Sequence, residues 1–391
     1  MRDDRDRQMQ GPAGVLRPMT SQRLRTFTKN RLSRRGALRA GGLGVAASVG
    51  SGGLNRMLAQ DATPVTTTTI GEELTQDGLA VDVIELFDAL PGTKALKIWA
   101  PPDAGRPEWM AASVADRELV IASAFKAFVL AEYLRQAEAA LDPAAPTPLA
   151  VQLVEQLQEE LVLDEAVFTL GSPIFNPPNL TGKVTARTVL QAMIVESDDT
   201  AADMALHRVG PGRVRELIAS LGLDQTRIPD STRQFIGYVF GDPDWRNLTW
   251  AKLLPLVNDT PYPPRFALND EITMASSADD LVAFYARALT GEIFRYNETR
   301  LAFRQLLSLK DEIAQIFPLG VNTFVKGGSL DAFTDHVLSA AGGMYVAQRW
   351  VYFAVILNWD DAEAGTVASV GPAFTAVMHA AFTTIRDRLS A

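Results

Sequence analysis

Apolar spacing along this 391-residue chain changes period in a fixed order, and that order restricts the fold more than any other feature. Helical spacing over residues 72–90 gives way to two short strand patterns, at 95–100 and 109–114. Helical spacing then dominates for most of the next two hundred residues, at 122–140, 149–161, 186–195, 200–209, 213–221, 278–289 and 301–309. Strand patterns return at 321–325, 337–346 and 350–359, and a last helix runs over about 367–389. Such an order lacks the strict alternation of strand and helix that builds a parallel doubly wound sheet. The neighbouring strands around Ala347-Gln348-Arg349 favour antiparallel pairing instead. The expected fold is therefore α+β: an antiparallel sheet flanked by N- and C-terminal helices, with an all-helical subdomain inserted at about 120–315 within a folded domain of 71–391.

Charge divides the chain unevenly. Residues 1–59 hold 12 Lys and Arg against 3 Asp, a net charge of +9, whereas residues 60–391 hold 25 against 43 acidic residues, a net charge of −18. An acidic body repels phosphates, which argues against nucleic acid and anionic membrane surfaces as partners. The basic start has its own explanation, because Ser33-Arg34-Arg35-Gly36-Ala37-Leu38-Arg39 precedes an uncharged stretch, 40–54, rich in Gly, Ala and Val. It resembles a twin-arginine export signal, with Ala37 where such signals usually carry Phe. That resemblance assigns 1–59 to a signal region and the threonine-rich 60–70 to a linker. It implies passage through the twin-arginine translocation machinery to a periplasmic or extracellular location, or to the cell envelope. The apolar run is too short and too rich in glycine for a stable membrane span. The chain has no cysteine, so disulfides, a lipoprotein anchor, a thiolate nucleophile and zinc-thiolate sites are excluded.

Ser123-Ala124-Phe125-Lys126 opens a helical pattern with apolar residues on nearly all sides, Leu119-Val120-Ile121 before it and Ala127-Phe128-Val129-Leu130 after it. A helix of that composition is buried. Spacing of i and i+3 puts Ser123 and Lys126 on one face. A serine hydroxyl needs an adjacent base to act as a nucleophile, and a lysine among apolar groups can lose enough basicity to serve. The first turn of the helix also leaves the Ser123 amide free to act as half of an oxyanion hole. Alternatively, Lys126 snorkels to the surface and Ser123 merely caps the helix.

Two further elements are ambiguous alone. Ser197-Asp198-Asp199 stands between two helical patterns, where any of the three can cap the second helix. Its functional reading makes the Ser197 hydroxyl a proton shuttle, since a hydroxyl both donates and accepts. Phe324-Val325-Lys326-Gly327-Gly328-Ser329 is a strand whose glycines let a substrate backbone approach and whose lysine can hold a carboxylate; a plain strand exit with a solvated Lys326 is the alternative.

Taken in order, Ser123-x-x-Lys126, Ser197-Asp198-Asp199 and Lys326-Gly327-Gly328 resemble the S-x-x-K, S-D-N and K-T-G triplet of class A β-lactamases and penicillin-binding proteins. The stretch 184–223 is similar to that family around its second motif, and the resemblance covers roughly 71–391. It implies a sheet layer beside a helical subdomain with the site at their junction. By position it makes Ser123 the acylated nucleophile, Lys126 the base, Ser197 the proton relay and Lys326 the electrostatic anchor. Asp199, Lys326, Gly328 and Ser329 are then substrate-binding residues, with the amides of Ser123 and Ser329 forming the oxyanion hole. It implies no metal and no organic cofactor, and a β-lactam, an ester or a cell-wall peptide as the small-molecule substrate.

Three departures temper that assignment. Asp199 stands where the family has Asn, so an ionised side chain offers only acceptors to a substrate. Gly327 replaces the hydroxyl residue of the third motif, although Ser329 follows closely. Between Ser197 and Lys326 there is no E-x-x-L-N element to position a hydrolytic water; Arg265-Phe266-Ala267-Leu268-Asn269 has only its Leu-Asn end. The long stretch 223–269, with Tyr238, Trp245, Trp250 and Tyr262, is expected to wall the site. A D-alanyl-D-alanine peptidase or an esterase of the same fold, or a non-catalytic binding or sensor protein, are the alternatives. Of the histidines, His207 and His379 lie in helical patterns, while His336 follows Asp335 closely after the third motif and is a minor candidate to border the site.

Overall fold

The computed structural model describes residues 76–390 apart from 104 and 310–312; the signal region and linker read at 1–70 lie outside the described residues. In chain order the described residues form helix α1 (Gln76–Asp88), strands β1 (Thr93–Ala100), β2 (Trp109–Ser113) and β3 (Leu119–Val120), and helices α2 (Lys126–Glu138) and α3 (Leu149–Gln156). Strands β4 (Glu160–Leu163) and β5 (Gly182–Thr185) follow, then helices α4 (Ala186–Val195), α5 (Asp199–Val209), α6 (Pro211–Ser220), α7 (Thr232–Val239) and α8 (Trp250–Asp259). Strand β6 (Ala275–Ser276), helices α9 (Ala278–Thr290) and α10 (Asn297–Ser308), strands β7 (Asn322–Ala332), β8 (Asp335–Val346) and β9 (Arg349–Trp359), and helices α11 (Asp361–Ala364) and α12 (Val367–Ser390) complete the chain. None of these helices is long and apolar enough to cross a membrane.

Five strands make one antiparallel sheet in the order β2-β1-β9-β8-β7, so β7 is an edge. Period-two alternation sends its side chains to two cores. On β9, Val351, Phe353, Val355 and Leu357 face a core shared with α1 and α12, including Phe87, Phe374 and Phe382. The intervening Tyr352, Ala354 and Ile356 face the helical side, where Phe128, Phe284 and Leu307 lie. Covering both faces explains why the central strands read as continuous apolar runs rather than as alternating ones. Helix α2 runs through the helical side, buried from Lys126 to Leu134 and packed against α4, α5, α6 and α10. The architecture is the α+β arrangement expected from the order of periodicities.

The aromatics of the stretch 223–269 are mostly buried. Tyr238, Trp245 and Trp250 are buried, Tyr238 meeting Trp245 edge-on at 5.6 Å and Phe168 meeting Trp250 edge-on at 5.7 Å. Most of these aromatics thus build a local core around α7 and α8, and of the four only Tyr262 is exposed.

His336 does not border the site. It pairs across the β7–β8 hairpin with Asp331, and Leu338 and Ala340, which share its face, belong to the core against α12, whereas Leu330 and Ala332 face the helical side. The buried imidazole lies 2.7 Å from Asp331 on one nitrogen and 2.7 Å from Asp361 on the other, and it stacks on Trp359. Burial alone lowers its pKa, but the hydrogen bonds and charges of Asp331 and Asp361 outweigh burial and hold it above the ordinary histidine value. A raised folded-state value means the stabilisation is complete below the unfolded-state pKa of about 6.5 and fades as pH rises through the folded value. His336→Gln should therefore lower Tm more at pH 5.5 than at pH 9, measured by thermal melts. An equal loss at both values would show that the imidazole carries no charge in the folded protein.

Candidate active site

The turn that carries Ser123 is held from three sides. Ahead of it, the Val120 amide donates to Asn358 Oδ1 at 2.9 Å and Asn358 Nδ2 donates back to the Val120 carbonyl at 2.9 Å. The Ile121 amide donates to the Met274 carbonyl at 2.8 Å, and Ser339 Oγ donates to the Ile121 carbonyl at 2.7 Å. Strand β7 then closes on the turn at Gly328. A Cβ built there would lie 2.2 Å from the Ile121 carbonyl oxygen and 2.9 Å from the Ala124 nitrogen, so only glycine allows this approach. Ala122 has φ +47°, a left-handed conformation that costs a non-glycine residue energy and that clusters at functional sites. Its consequence is a short 3₁₀ turn over Ala122–Phe125 before α2 begins at Lys126, rather than a helix that starts at residue 122.

The second motif is a strained corner between α4 and α5. Ser197 has φ +55° and is buried. Asp198 caps α5 through the Ala201 amide at 2.8 Å and reaches back to the Ile174 and Phe175 amides at 3.0 and 2.9 Å. Desolvation by burial pushes its pKa up against the pull of those three donors. The Asp199 amide donates to the Gly171 carbonyl at 3.0 Å, and Thr200 Oγ1 and Ser172 Oγ meet at 2.6 Å. The loop around residues 171–175 is therefore tied to the corner through Asp198, Asp199 and Thr200.

These elements converge on one hydroxyl. Lys126 Nζ, fully buried, donates to Ser197 Oγ at 3.2 Å and to the Ser197 carbonyl at 2.5 Å. Lys326 Nζ, on the edge strand, donates to the same Ser197 Oγ at 3.0 Å and to the Gly327 carbonyl at 2.9 Å. A serine oxygen that accepts from two ammonium groups still has its own proton to donate, which is what a relay toward a leaving group requires. The remaining donor of Lys126 goes to Asp199 Oδ1 at 2.6 Å, a mostly buried ion pair. No hydrogen bond joins Lys126 Nζ to Ser123 Oγ, although the two residues are one turn apart, because these three acceptors occupy the ammonium.

Asp199 therefore sits inside the lysine cluster and is not a free contact for substrate through both oxygens. Burial raises its carboxyl to about 6, opposed by the charge and hydrogen bond of Lys126 and the charge of Lys326 and assisted by the charge of Asp198. Its carboxyl is accordingly ionised near neutrality and takes up a proton below about pH 6. Gly328 contributes a close backbone approach, and Ser329, half-buried, follows it with its side chain on the Gly327 face of the strand, opposite to Lys326. Sequence reasoning missed Asn358 and Asp203. Asn358 leaves one signal, an amide closing the apolar run Val355-Ile356-Leu357. Asp203, one turn beyond Asp199, is buried, takes the Thr232 and Arg233 amides at the start of α7, and is pushed up to about 7 by burial.

Among the described residues, no carboxylate of 223–280 is hydrogen-bonded to the serine cluster. Within 223–280, Asp230 pairs with Arg215, Glu271 with Arg246, Asp279 with Lys97, and Asp280 accepts from the Gln225 amide and Thr226. Asn269 folds its own loop, donating to the Ile272 carbonyl and accepting from the Ile272 amide. None of these side chains is hydrogen-bonded to Ser123, Lys126 or Ser197.

Residues 102–371 match the model of the beta-lactamase enzyme family. No curated protein matches the chain. Among solved structures, TLA-3 extended-spectrum beta-lactamase superposes with a TM-score of 0.59 at 13% identity, over 81% of this chain and 100% of that one. A class A beta-lactamase from Bacteroides cellulosilyticus gives 0.58 at 14% identity, over 81% and 98%. PBP-A gives 0.55 at 16% identity, over 79% and 96%. At such identities the structures attest a shared fold.

Proposed function

This chain belongs to the beta-lactamase enzyme family, and from that premise we propose that it is an exported serine hydrolase whose Ser123 is acylated by a β-lactam or a related amide or ester. The observation that carries the reading is the Ser197 hydroxyl gripped by both Lys126 and Lys326, since it joins three separate sequence motifs in one proton-transfer unit beside Ser123. Ser123 Oγ attacks the acyl carbon and gives its proton to the neutral amine of Lys126. Ser197 passes a proton to the leaving group, and Lys326 holds a substrate carboxylate near the edge of β7. The amides of Ser123 and Ser329 stabilise the oxyanion. The testing experiment is incubation with a fluorescent penicillin: covalent labelling of the wild-type chain and none of Ser123→Ala is expected, and labelling that survives in the variant contradicts the reading.

Export rests on Arg34 and Arg35 preceding the uncharged 40–54 stretch. Changing both to Lys should leave the chain in the cytoplasm of a host with a twin-arginine pathway. Fractionation that finds the double variant exported normally would remove that route.

A further inference from the structure

Asp199 brings a negative charge into the site against Lys126, with part of its side chain still exposed. Its Oδ1 is taken by Lys126, its Oδ2 accepts no hydrogen bond among the described residues, and the side chain keeps 14% of its surface exposed. A carboxylate can only accept, so an acylamino carbonyl placed against Oδ2 meets acceptor with acceptor, whereas an N–H donor is satisfied there. Resting on the acyl-enzyme reading above, we infer that Asp199 selects substrates whose acyl group carries a free ammonium beside the scissile carbonyl, and that this ammonium, held at Oδ2, loosens the hold of Asp199 on Lys126.

The second half follows from charge. As found, Lys126 Nζ is committed to the Ser197 carbonyl, Ser197 Oγ and Asp199 Oδ1, and it must be released from one of them to take the Ser123 proton. A second cation against Asp199 competes with Lys126 for the carboxylate and frees Nζ to turn toward Ser123 as a neutral amine. The neutral amine then accepts the Ser123 proton as the bond from Ser123 Oγ to the acyl carbon forms. The bond from that carbon to the leaving group breaks, the leaving group takes a proton through Ser197, and water later cleaves the ester to restore the serine and release the amino acid. The groups facing Asp199 are Lys126 on α2, Asp198 at the cap, Lys326 on β7 and Asp203 one turn on along α5. Because the carboxyl is neutral below about pH 6, the selection should fade in acid.

Alanine thiobenzyl ester and its N-acetyl derivative test this with the full chain, and a thiol-reactive dye reports only the leaving group because the protein has no cysteine. At pH 7 the wild type should favour the free amine in kcat/KM by at least ~10-fold, within the range by which a polar site rejects a mismatched partner. The ratio should shrink at pH 5. Asp199→Asn should move the ratio toward the N-acetyl ester by at least ~100-fold. If that variant fails to fold, the wild-type ratio and its pH dependence decide. Preference of the wild type for the N-acetyl ester, or a ratio unmoved between pH 7 and pH 5, overturns the inference while leaving acylation of Ser123 standing. Absence of a Ser123 adduct with either ester overturns both.

Discussion

Lys126→Ala should slow acylation of Ser123 by at least ~100-fold, the usual scale of a lost general base. The same change leaves Asp199 without its counter-ion in a site where Lys126 is wholly buried and Asp199 mostly so. Removing one partner of such a pair typically costs about 3–5 kcal/mol, lessened here because the Asp199 carboxyl already rises to about 6 and can neutralise itself by taking a proton. Loss of activity and loss of stability are therefore confounded in the single variant. The double variant Lys126→Ala with Asp199→Asn separates them: it should recover most of the lost Tm while acylation stays slow. Recovery of acylation together with stability would show that Lys126 acts only as a structural cation.

Breakdown of the acyl-enzyme is the second place where a large effect is expected. Among the described residues no carboxylate of 223–280 is hydrogen-bonded to Ser123, Lys126 or Ser197, and Asp230, Glu271, Asp279 and Asp280 are engaged with Arg215, Arg246, Lys97 and Thr226. Lys126 and Ser197 must then serve hydrolysis as well as acylation. Stopped-flow mixing with a chromogenic cephalosporin should give a burst of one product equivalent per enzyme followed by a slow steady state. A steady rate above roughly 10² s⁻¹ with no burst, in the upper part of the usual enzyme range, would mean that an efficient water-activating group operates at this site. A non-catalytic sensor of the same fold would give the burst alone, with no steady state behind it.

The parts of this site that were legible in the sequence are those fixed by local spacing. Ser123 and Lys126 are three residues apart in an apolar run, which offered burial of the lysine as one of two readings, and the structure buries it. The glycines after Lys326 announce a close approach, which Gly328 makes against the Ile121 carbonyl. What was not legible depends on contacts between distant residues. The pairing of Asp199 with Lys126 spans 73 positions, and that of Asn358 with Val120 spans 238, so no periodicity reveals either. The short pairs β3–β6 and β4–β5 were missed for the same reason, each strand being too short to show alternation without its partner. Strand β7 runs to Ala332, past the Val325 boundary of its apolar pattern, because its ladder with β8 continues through Gly327-Gly328 where side chains give no signal. Helices α7 and α8 were hidden by aromatic, glycine and proline content, which reads as loop until the aromatics are seen to pack on one another.

The identity of the acylated residue is the point on which the rest depends. Intact-mass measurement of the protein after exposure to benzylpenicillin, followed by peptide mapping, should show one penicilloyl group per chain, on the peptide containing Ser123-Ala124-Phe125-Lys126, and no adduct on Ser123→Ala. A penicilloyl group mapped to any other serine, or one retained by Ser123→Ala, would contradict it.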